Sequence, residues 1–240
     1  MIKLCRAILL SVLALTTLTA HAADWYKVEV VVFANQDSAP LADEYWPEIK
    51  EIPVPSNAIN LKPSNAEGSA YKRLPGSSLS LHDAKKRLRN SGPYKILFHA
   101  GWMQPVYRTQ TPRPIHITGG EILDNGMYEL DGYIAVGRGT YLHFRPNLFL
   151  SRKLTADENA LLQSPINASA ENSADNAQAA ALITMQASST ATSAMSNELF
   201  PAIPDILTVN LDQARRMKSK ELHYIDHPLM GILVEIRPVR

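Results

Sequence analysis

Three titratable side chains near the C-terminus have a spacing that could serve a metal or acid/base site. His223, Asp226 and His227 lie within five residues in the stretch ELHYIDHPLMGILVEIRP. On a helix, the two histidines would share one face four residues apart, similar to the zinc-binding H-x-x-E-H arrangement. Further histidines lie on predicted strands, namely His99, His116 and His143. A metal-dependent hydrolase that uses His223, His227 and a third histidine is therefore one hypothesis.

The local sequence favours a strand over a helix at this site. Pro228 follows directly, Gly231 comes three residues later, and RRMKSKELHYIDH alternates polar and apolar residues. On a strand, His223 and His227 share one face and Asp226 points to the other. Successive same-face positions are about 7 Å apart, whereas zinc ligands lie about 2 Å from the metal. We therefore predict no metal and no cofactor here.

Other catalytic patterns give no support for an enzyme. The chain has no G-x-S-x-G motif, and no carboxylate pair in a context that suggests glycosidase chemistry. Gly119-Gly120 and Gly137-Arg138-Gly139 lack the strand-to-helix context of a phosphate loop and are typical of turns. The sequence thus predicts a protein that is not an enzyme.

The N-terminus predicts export. MIKLCR carries two cations and precedes the apolar run AILLSVLALTTL, which ends in the small-residue exit Ala20-His21-Ala22. This pattern is typical of a signal peptide over residues 1–22, cleaved after Ala22. The run is shorter than the roughly 18 to 20 apolar residues of a transmembrane helix, so we expect no stable membrane insertion. Cys5, the only cysteine, would leave with the peptide.

Charge gives no reason to expect a nucleic-acid partner. The whole chain has a net charge of +1, and removal of Lys3 and Arg6 with the signal peptide makes it slightly negative. Basic residues cluster in one predicted helix, over DAKKRLRN at 83–90, where a solvated helix face is the simpler interpretation. Ser80 or Asp83 could cap that helix, and Gly92-Pro93 would end it.

Most of the remaining chain is strand-like. WYKVEVVVFA predicts a strand at 25–34, whereas residues 35–78 predict a long loop with at most a short helix. Tight turns such as Asp124-Asn125-Gly126 join the next segments, which favours an antiparallel meander. These predicted strands are 94–103, 115–122, 127–136 and 141–150.

An abrupt change of composition interrupts this pattern. Residues 155–198 are rich in Ala, Ser, Asn and Gln, so we predict a disordered linker there. After it come a strand at 206–211 and a long C-terminal hairpin built from 214–226 and 231–237. We expect 23–154 and 199–240 to form a single α+β domain, mainly antiparallel sheet with one or two short helices and a long flexible insertion before the C-terminal hairpin.

Several phrases in order resemble the CsiV family of periplasmic peptidoglycan-binding proteins. They are WYKVEVVVF, EYWP, YKILFHAGWMQPV, ELDGYIAV, YLHF and RRMKSKELHYIDHPLMGILVEIRP. The resemblance implies a non-enzymatic periplasmic protein that binds peptidoglycan. It further implies that the protein supports cell-wall synthesis by a class A penicillin-binding protein through that synthase's outer-membrane lipoprotein activator. The alternative is a periplasmic protein-interaction module that pairs its strands with a partner's edge and never contacts the wall.

Candidate binding residues follow from the chemistry of peptidoglycan. Its sugars offer faces for aromatic stacking, and its peptides offer carboxylates that Arg can bind through both oxygens. The candidates are Trp46, Trp102, Tyr141, Arg215, Arg216, His223 and Tyr224. For Trp102, packing in the core is the competing interpretation. Arg215 and Arg216 alternate faces on a strand, so at most one of them is expected to point into a given groove.

Overall fold

The computed structural model describes residues 23–49, 51–108, 111–162 and 205–239. In chain order the strands there are β1 (Asp24–Asn35), β2 (Ile59–Asn60), β3 (Lys72–Arg73), β4 (Tyr94–Val106), β5 (Ile115–Ile122), β6 (Tyr128–Arg138), β7 (Leu142–Lys153), β8 (Ile206–Asp212), β9 (Arg215–Met217), β10 (Leu222–His227) and β11 (Met230–Pro238). The α-helices are α1 (Pro40–Asp43), α2 (His82–Asn90) and α3 (Ala156–Leu162). The predicted signal peptide and residues 163–198 of the predicted linker lie outside the described residues.

The strands form two sheets. Sheet A has the order β10, β11, β1, β4, β3 and is antiparallel throughout. Its central strand β1 pairs on one side with β11, from the far end of the chain, and on the other side with β4. Val30, for example, lies opposite Val234 and opposite Ala100. The two halves of the chain therefore meet within one sheet.

Sheet B has the order β2, β5, β6, β7, β8, and β9 also pairs with β7. The β2–β5 pair is parallel and the other pairs are antiparallel. Strand β8 lies along the C-terminal half of β7 and β9 along its N-terminal end, opposite Leu142 to Phe144. One edge of β7 therefore pairs with two short strands, β8 and β9, which follow residues 163–204 in the sequence.

One apolar core lies between the two sheets. Side chains alternate between the faces of a strand, and the inward residues of both sheets belong to a single buried cluster. From sheet A these include Val28, Val30, Val32, Phe98, Trp102, Ile232, Val234 and Ile236. From sheet B they include Ile115, Ile117, Leu130, Ile134, Phe144, Leu148, Val209 and Leu211.

The sheets approach each other closely at two points. Trp102 Nε1 donates to Gln104 Oε1 at 2.8 Å, and Gln104 Nε2 donates to the Val136 carbonyl of sheet B at 3.4 Å. Elsewhere β5 passes so near β4 that a Cβ at Gly119 would lie 2.2 Å from the Leu97 backbone oxygen. Gly119 therefore sets the distance between the sheets at that point.

Helix α2 covers the outer face of sheet A and is held there by Glu29 of β1. The Glu29 carboxylate accepts hydrogen bonds from the Ser80 amide at 2.7 Å, from the Leu81 amide at 2.8 Å and from His99 Nε2 at 3.1 Å. Burial by itself would raise the pKa of Glu29, but hydrogen bonds from His99, Ser80 and Leu81 outweigh it and lower that pKa to about 2. The Ser80 hydroxyl lies 2.8 Å from Glu29 and also 2.8 Å from Glu235.

The predicted fold class is confirmed, since antiparallel sheet dominates the described residues and the helices are short. The strand predicted at 25–34 and the helix predicted at 83–90 are both present, each slightly longer than expected. No helix in these described ranges is long and apolar enough to cross a bilayer.

Three sequence predictions are wrong in detail. Residues 214–226 are not one strand, because the chain breaks at Lys220, which has a φ of 70°, and passes from β9 in sheet B to β10 in sheet A. The segment 156–162 of the predicted linker is helix α3, whose Leu161 and Leu162 pack against the core. Helix α2 has no side-chain cap from Ser80 or Asp83, and the Ser80 hydroxyl instead makes hydrogen bonds to Glu29 and Glu235.

The close approach at Gly119 predicts a large effect of a small substitution. Gly119→Ala would place a methyl group against backbone, which cannot rotate away, so we expect the free energy of unfolding to fall by about 3 kcal/mol. Gly139→Ala is the matched control, because a Cβ there meets nothing within 4 Å. Urea unfolding of both variants measures the difference. Equal stability of the two would show that the sheets are not in contact at Gly119.

The depressed pKa of Glu29 predicts a pH dependence of stability. The folded pKa of about 2 lies below the ordinary 4.5, so the stabilisation is complete above pH 4.5 and is lost as pH falls toward 2. The shift corresponds to about 3 kcal/mol. Glu29→Gln should lower the free energy of unfolding at pH 7 by about 2 to 3 kcal/mol and flatten its slope between pH 4.5 and 2.5.

The control for this experiment is Glu67→Gln, which removes a carboxylate from an exposed loop. Urea denaturation at several pH values, followed by circular dichroism, measures both variants. Parallel pH profiles for wild type and Glu29→Gln would contradict the proposed role of this carboxylate.

Candidate functional site

The outer face of sheet B carries a row of polar and aromatic residues that crosses the whole sheet. These positions alternate with core residues such as Ile115, Ile134 and Leu148, so they point away from the core. The backbone register places them directly opposite one another on neighbouring strands. The row comprises Asn60, His116, Tyr133, Asn147 and Asp212.

Hydrogen bonds and ring stacking order this row. His116 Nε2 lies 2.7 Å from Asp131 Oδ1, and the His116 ring stacks on Tyr133 with centroids 5.0 Å apart. Burial raises the pKa of the Tyr133 hydroxyl, and the charge of Asp131 raises it further, so this phenol stays neutral. Asn210 donates to Asn147 Oδ1 at 2.8 Å. The row therefore presents fixed amide and imidazole groups, with the His116 ring stacked on the buried ring of Tyr133.

A cationic cluster adjoins the row at the start of β7. The guanidinium of Arg216 lies over the ring of Tyr141, 4.5 Å from its centroid, and Tyr141 is 53% exposed. His143 lies opposite Arg216 in the β7–β9 pair, and Arg145 is two residues further along the same face. Arg145 is exposed and has no ion-pair partner among the described residues. Arg215 lies opposite the buried Phe144, so it points to the other face of β9 from Arg216. We call Tyr141, His143, Arg145 and Arg216 the basic cluster.

This arrangement suits a ligand that carries both carboxylates and sugar rings. Unpaired guanidinium groups bind carboxylates through two hydrogen bonds, and an exposed tyrosine ring can pack on an apolar sugar face. Amide and imidazole groups can donate to and accept from hydroxyl and acetamido groups. The strands fix the spacing of these side chains, so the site is rigid along its length.

The structure removes Trp102 from the predicted binding residues. It has no exposed surface, and its indole nitrogen is already bonded to Gln104 within the core. The competing interpretation, a packing aromatic, is therefore the correct one. By contrast, Tyr141 and Arg216, which lie far apart in sequence, are brought into contact.

His223 and His227 act within the fold. Both lie on β10, where they flank the buried Ile225. His223 Nε2 accepts a hydrogen bond from the Lys218 amide at 3.2 Å, and His227 Nδ1 accepts one from the Leu229 amide at 3.2 Å. Burial lowers the pKa of His227, although the negative charge of Asp226 opposes that shift.

Tyr224 and Trp46 lie away from the basic cluster. Tyr224 is on the outer face of sheet A, 47% exposed, with its ring parallel to Phe33 at 6.3 Å and its hydroxyl donating to Asp226. Trp46 packs against the core with its ring 5.9 Å from that of His227. These two residues therefore cannot share one ligand surface with Tyr141 and Arg216.

The binding residues predicted from the sequence did not include His116, Tyr133, His143, Arg145 or Asn147, although His116 and His143 were considered as metal ligands. The signal was present in YLHFRPN, where Tyr141, His143, Arg145 and Asn147 occupy every second position between apolar residues. This alternation places all four on one face of a strand. The contribution of β5 and β6 to the same row required the register between strands, which the sequence does not show.

No group of three or more His, Cys, Asp or Glu side chains that could hold a metal ion occurs in the described ranges. The hypothesis of a third histidine completing a site with His223 and His227 therefore has no geometric support in this part of the chain.

Comparison with known proteins identifies the family. A model of the family described as "Peptidoglycan-binding protein, CsiV" matches residues 5–239. Neither a curated protein nor a solved structure gives a significant match. The family is described as peptidoglycan-binding, which indicates a location in the cell envelope. Because the match spans nearly the entire sequence, the chain belongs to the CsiV family of peptidoglycan-binding proteins.

Proposed function

We propose that this protein is a non-enzymatic periplasmic protein that binds peptidoglycan through the outer face of sheet B. The observation that carries the proposal is the contact between Arg216 and the exposed ring of Tyr141, beside Arg145, which is exposed and has no ion-pair partner among the described residues. Family membership supports peptidoglycan as the ligand.

The two parts of the face match two parts of the polymer. The basic cluster supplies cations for the carboxylates of the stem peptides, because charge-assisted hydrogen bonds from Arg are strong and directional. The row supplies the His116 imidazole and the Asn147 amide for the glycan strand, and Tyr133, which is buried, holds the His116 ring by stacking. A sheet face whose polar groups extend across several strands suits an extended polymer rather than a small molecule.

Within this proposal the protein supports a class A penicillin-binding protein through its outer-membrane lipoprotein activator. This part rests on the family resemblance and on the predicted export of the chain. A protein-interaction module without wall binding is the alternative. Among the described residues β10 is an edge strand of sheet A, and with Leu222 and Tyr224 exposed it offers a partner a surface.

The wall-binding face predicts the behaviour of charge variants in a sedimentation assay. The mature protein should pellet with purified sacculi at moderate salt, whereas an Arg145→Gln/Arg216→Gln double variant should bind at least about tenfold more weakly because two charge-assisted contacts are lost. Arg89→Gln is the matched control, since it removes an exposed arginine from helix α2 on sheet A. Its binding should equal that of wild type.

Two outcomes would overturn parts of the proposal. If the wild-type protein stays in the supernatant, it does not bind the wall. If the double variant and Arg89→Gln both bind as wild type does, the wall is bound elsewhere on the molecule. Circular dichroism of each variant confirms that the fold is retained.

If the protein supports cell-wall synthesis through the lipoprotein activator, it should stimulate the synthase only when the activator is present. Adding the mature protein to a class A synthase and its lipoprotein activator should raise the rate of glycan polymerisation, and adding it to the synthase alone should not. A polymerisation assay with fluorescent lipid-linked precursor measures both rates. Stimulation without the activator would show that the synthase itself is the partner.

A further inference from the structure

Helix α2 presents a run of cations on the outer face of sheet A. Lys86, Arg87 and Arg89 are exposed, and Lys85 is half-buried. None of these four has an ion-pair partner in the part of the chain that the structure describes. Asp83, the one acidic residue of the helix, lies three and four positions before Lys86 and Arg87, yet it pairs with neither. The helix therefore carries four cations against one anion, and its positive charge is not neutralised locally.

The apolar side of α2 is already packed on the sheet. Leu81, directly before the helix, is buried, and Ala84 and Leu88 are half-buried at positions three and seven residues further along. This spacing places all three on one side of the helix. The ring of His82 also lies 5.3 Å from the ring of His99 on β4. Only the charged side of α2 is therefore available to a partner, so the helix has no free apolar side to insert into a bilayer.

Two exposed apolar residues of β10 lie on the same face of sheet A. Leu222 is opposite Glu235, and the Ser80 hydroxyl at the start of α2 bonds to that same Glu235. Tyr224 is two residues along the same face, with its ring stacked on Phe33 of β1. Leu222 and Tyr224 are 50% and 47% exposed. The outer face of sheet A thus combines a cationic helix with apolar side chains beside its first turn.

The shape of this surface favours one kind of partner. A helix that lies on top of a sheet is convex, and the cavity of about 460 Å³ at the end of the sandwich is lined by none of the α2 residues. A convex charged surface fixes no register for a bound peptide. A lipid surface, by contrast, offers many mobile anionic headgroups at once and needs no pocket.

We propose that the outer face of sheet A docks on a bilayer that contains anionic phospholipids, with α2 against the headgroups. Lys86, Arg87 and Arg89 approach the lipid phosphates, and Leu222 and Tyr224 contact the headgroup region, where tyrosine is favoured. Each Lys or Arg near such a surface strengthens binding about fivefold. The attachment is peripheral and depends on salt, because it rests on charge and not on insertion.

This inference goes beyond the proposed wall binding and does not depend on it. The basic cluster lies on the outer face of sheet B, whereas α2 lies on the outer face of sheet A. The two surfaces are therefore on opposite sides of the sandwich. One molecule can contact the wall on one side and a membrane on the other.

Flotation of the mature protein with large vesicles tests the proposal. We expect binding to phosphatidylcholine vesicles that contain about 30% phosphatidylglycerol at about 50 mM salt, and none to phosphatidylcholine alone. Raising the salt to about 500 mM should weaken binding at least about tenfold, because the screening length becomes shorter than the gap between the charges. Equal flotation with both vesicle types, or flotation with neither, would overturn the proposal.

Paired substitutions link the effect to α2. Lys86→Gln/Arg87→Gln should bind the anionic vesicles at least about tenfold more weakly, and Lys86→Arg/Arg87→Lys, which keeps both charges, should bind as wild type does. Lys62→Gln/Arg108→Gln is the matched control, since it removes two exposed cations from outside α2. Equal losses in the two glutamine variants would show that net charge, and not α2, determines binding. Circular dichroism checks that each variant keeps the fold.

Two further measurements separate the membrane from other polyanions. Polyglutamate is added at a carboxylate concentration equal to that of the anionic lipid. If it releases the protein from the vesicles, an acidic protein is the better partner and the proposal fails, whereas continued flotation supports it. Lys86→Gln/Arg87→Gln should still sediment with sacculi as wild type does. Loss of sacculus binding in this variant would show that α2 binds polyanions of any kind, which contradicts a membrane surface distinct from the wall-binding face.

Discussion

The buried carboxylate of Glu29 is the interaction on which sheet A and its covering helix depend. It lies on the central strand directly opposite Glu235 of β11, so two acidic side chains meet inside the protein. Leaving such a charge without donors would be strongly destabilising. The Glu29 carboxylate accepts hydrogen bonds from the amides of Ser80 and Leu81 and from His99. The guanidinium of Arg237 pairs with Glu235 at 2.7 Å. The start of helix α2 is therefore held where the sheet needs its donors.

This anchoring makes the two outer faces of the sandwich unlike each other. The outer face of sheet A is occupied by the segment from Leu79 to α2, whose Leu79 side chain lies against Gly101. The outer face of sheet B presents the polar row and the basic cluster. A polymer can lie along a rigid face whose groups are spaced by the strands themselves. The position of the buried carboxylates in sheet A therefore explains why its outer face is covered and the outer face of sheet B is not.

Local patterns allowed much of the fold to be predicted. Alternation in WYKVEVVVFA and turn residues such as Asn125-Gly126 indicate strands and hairpins because both depend on neighbours in sequence. The break at Lys220 was not predictable, since RRMKSKELHYIDH alternates throughout and only the exchange between sheets requires the positive φ. The partners of Glu29 were equally hidden, because Ser80 and Leu81 lie on a segment about fifty residues away.

The candidate site was predictable only in part. Tyr141 and Arg216 were recognised by residue type, but their contact depends on the pairing of β7 with β9 across the long intervening segment. Trp102 shares its parity with Phe98 and Ala100, so the alternation of β4 already indicated its burial. The prediction that Trp102 binds ligand used its residue type and not this alternation, so it placed a buried residue on the surface.

The pairing of β1 with β11 also has a consequence for the order of folding. The central strand of sheet A lacks a neighbour on one side until the last residues of the chain are available, since Asn35 and Pro228 are joined across 193 positions. Contacts so distant in sequence slow folding and leave an unpaired edge exposed meanwhile. The β1–β11 pair can therefore form only once residues 230–238 have been synthesised, so a nascent chain that ends before β11 cannot yet complete sheet A.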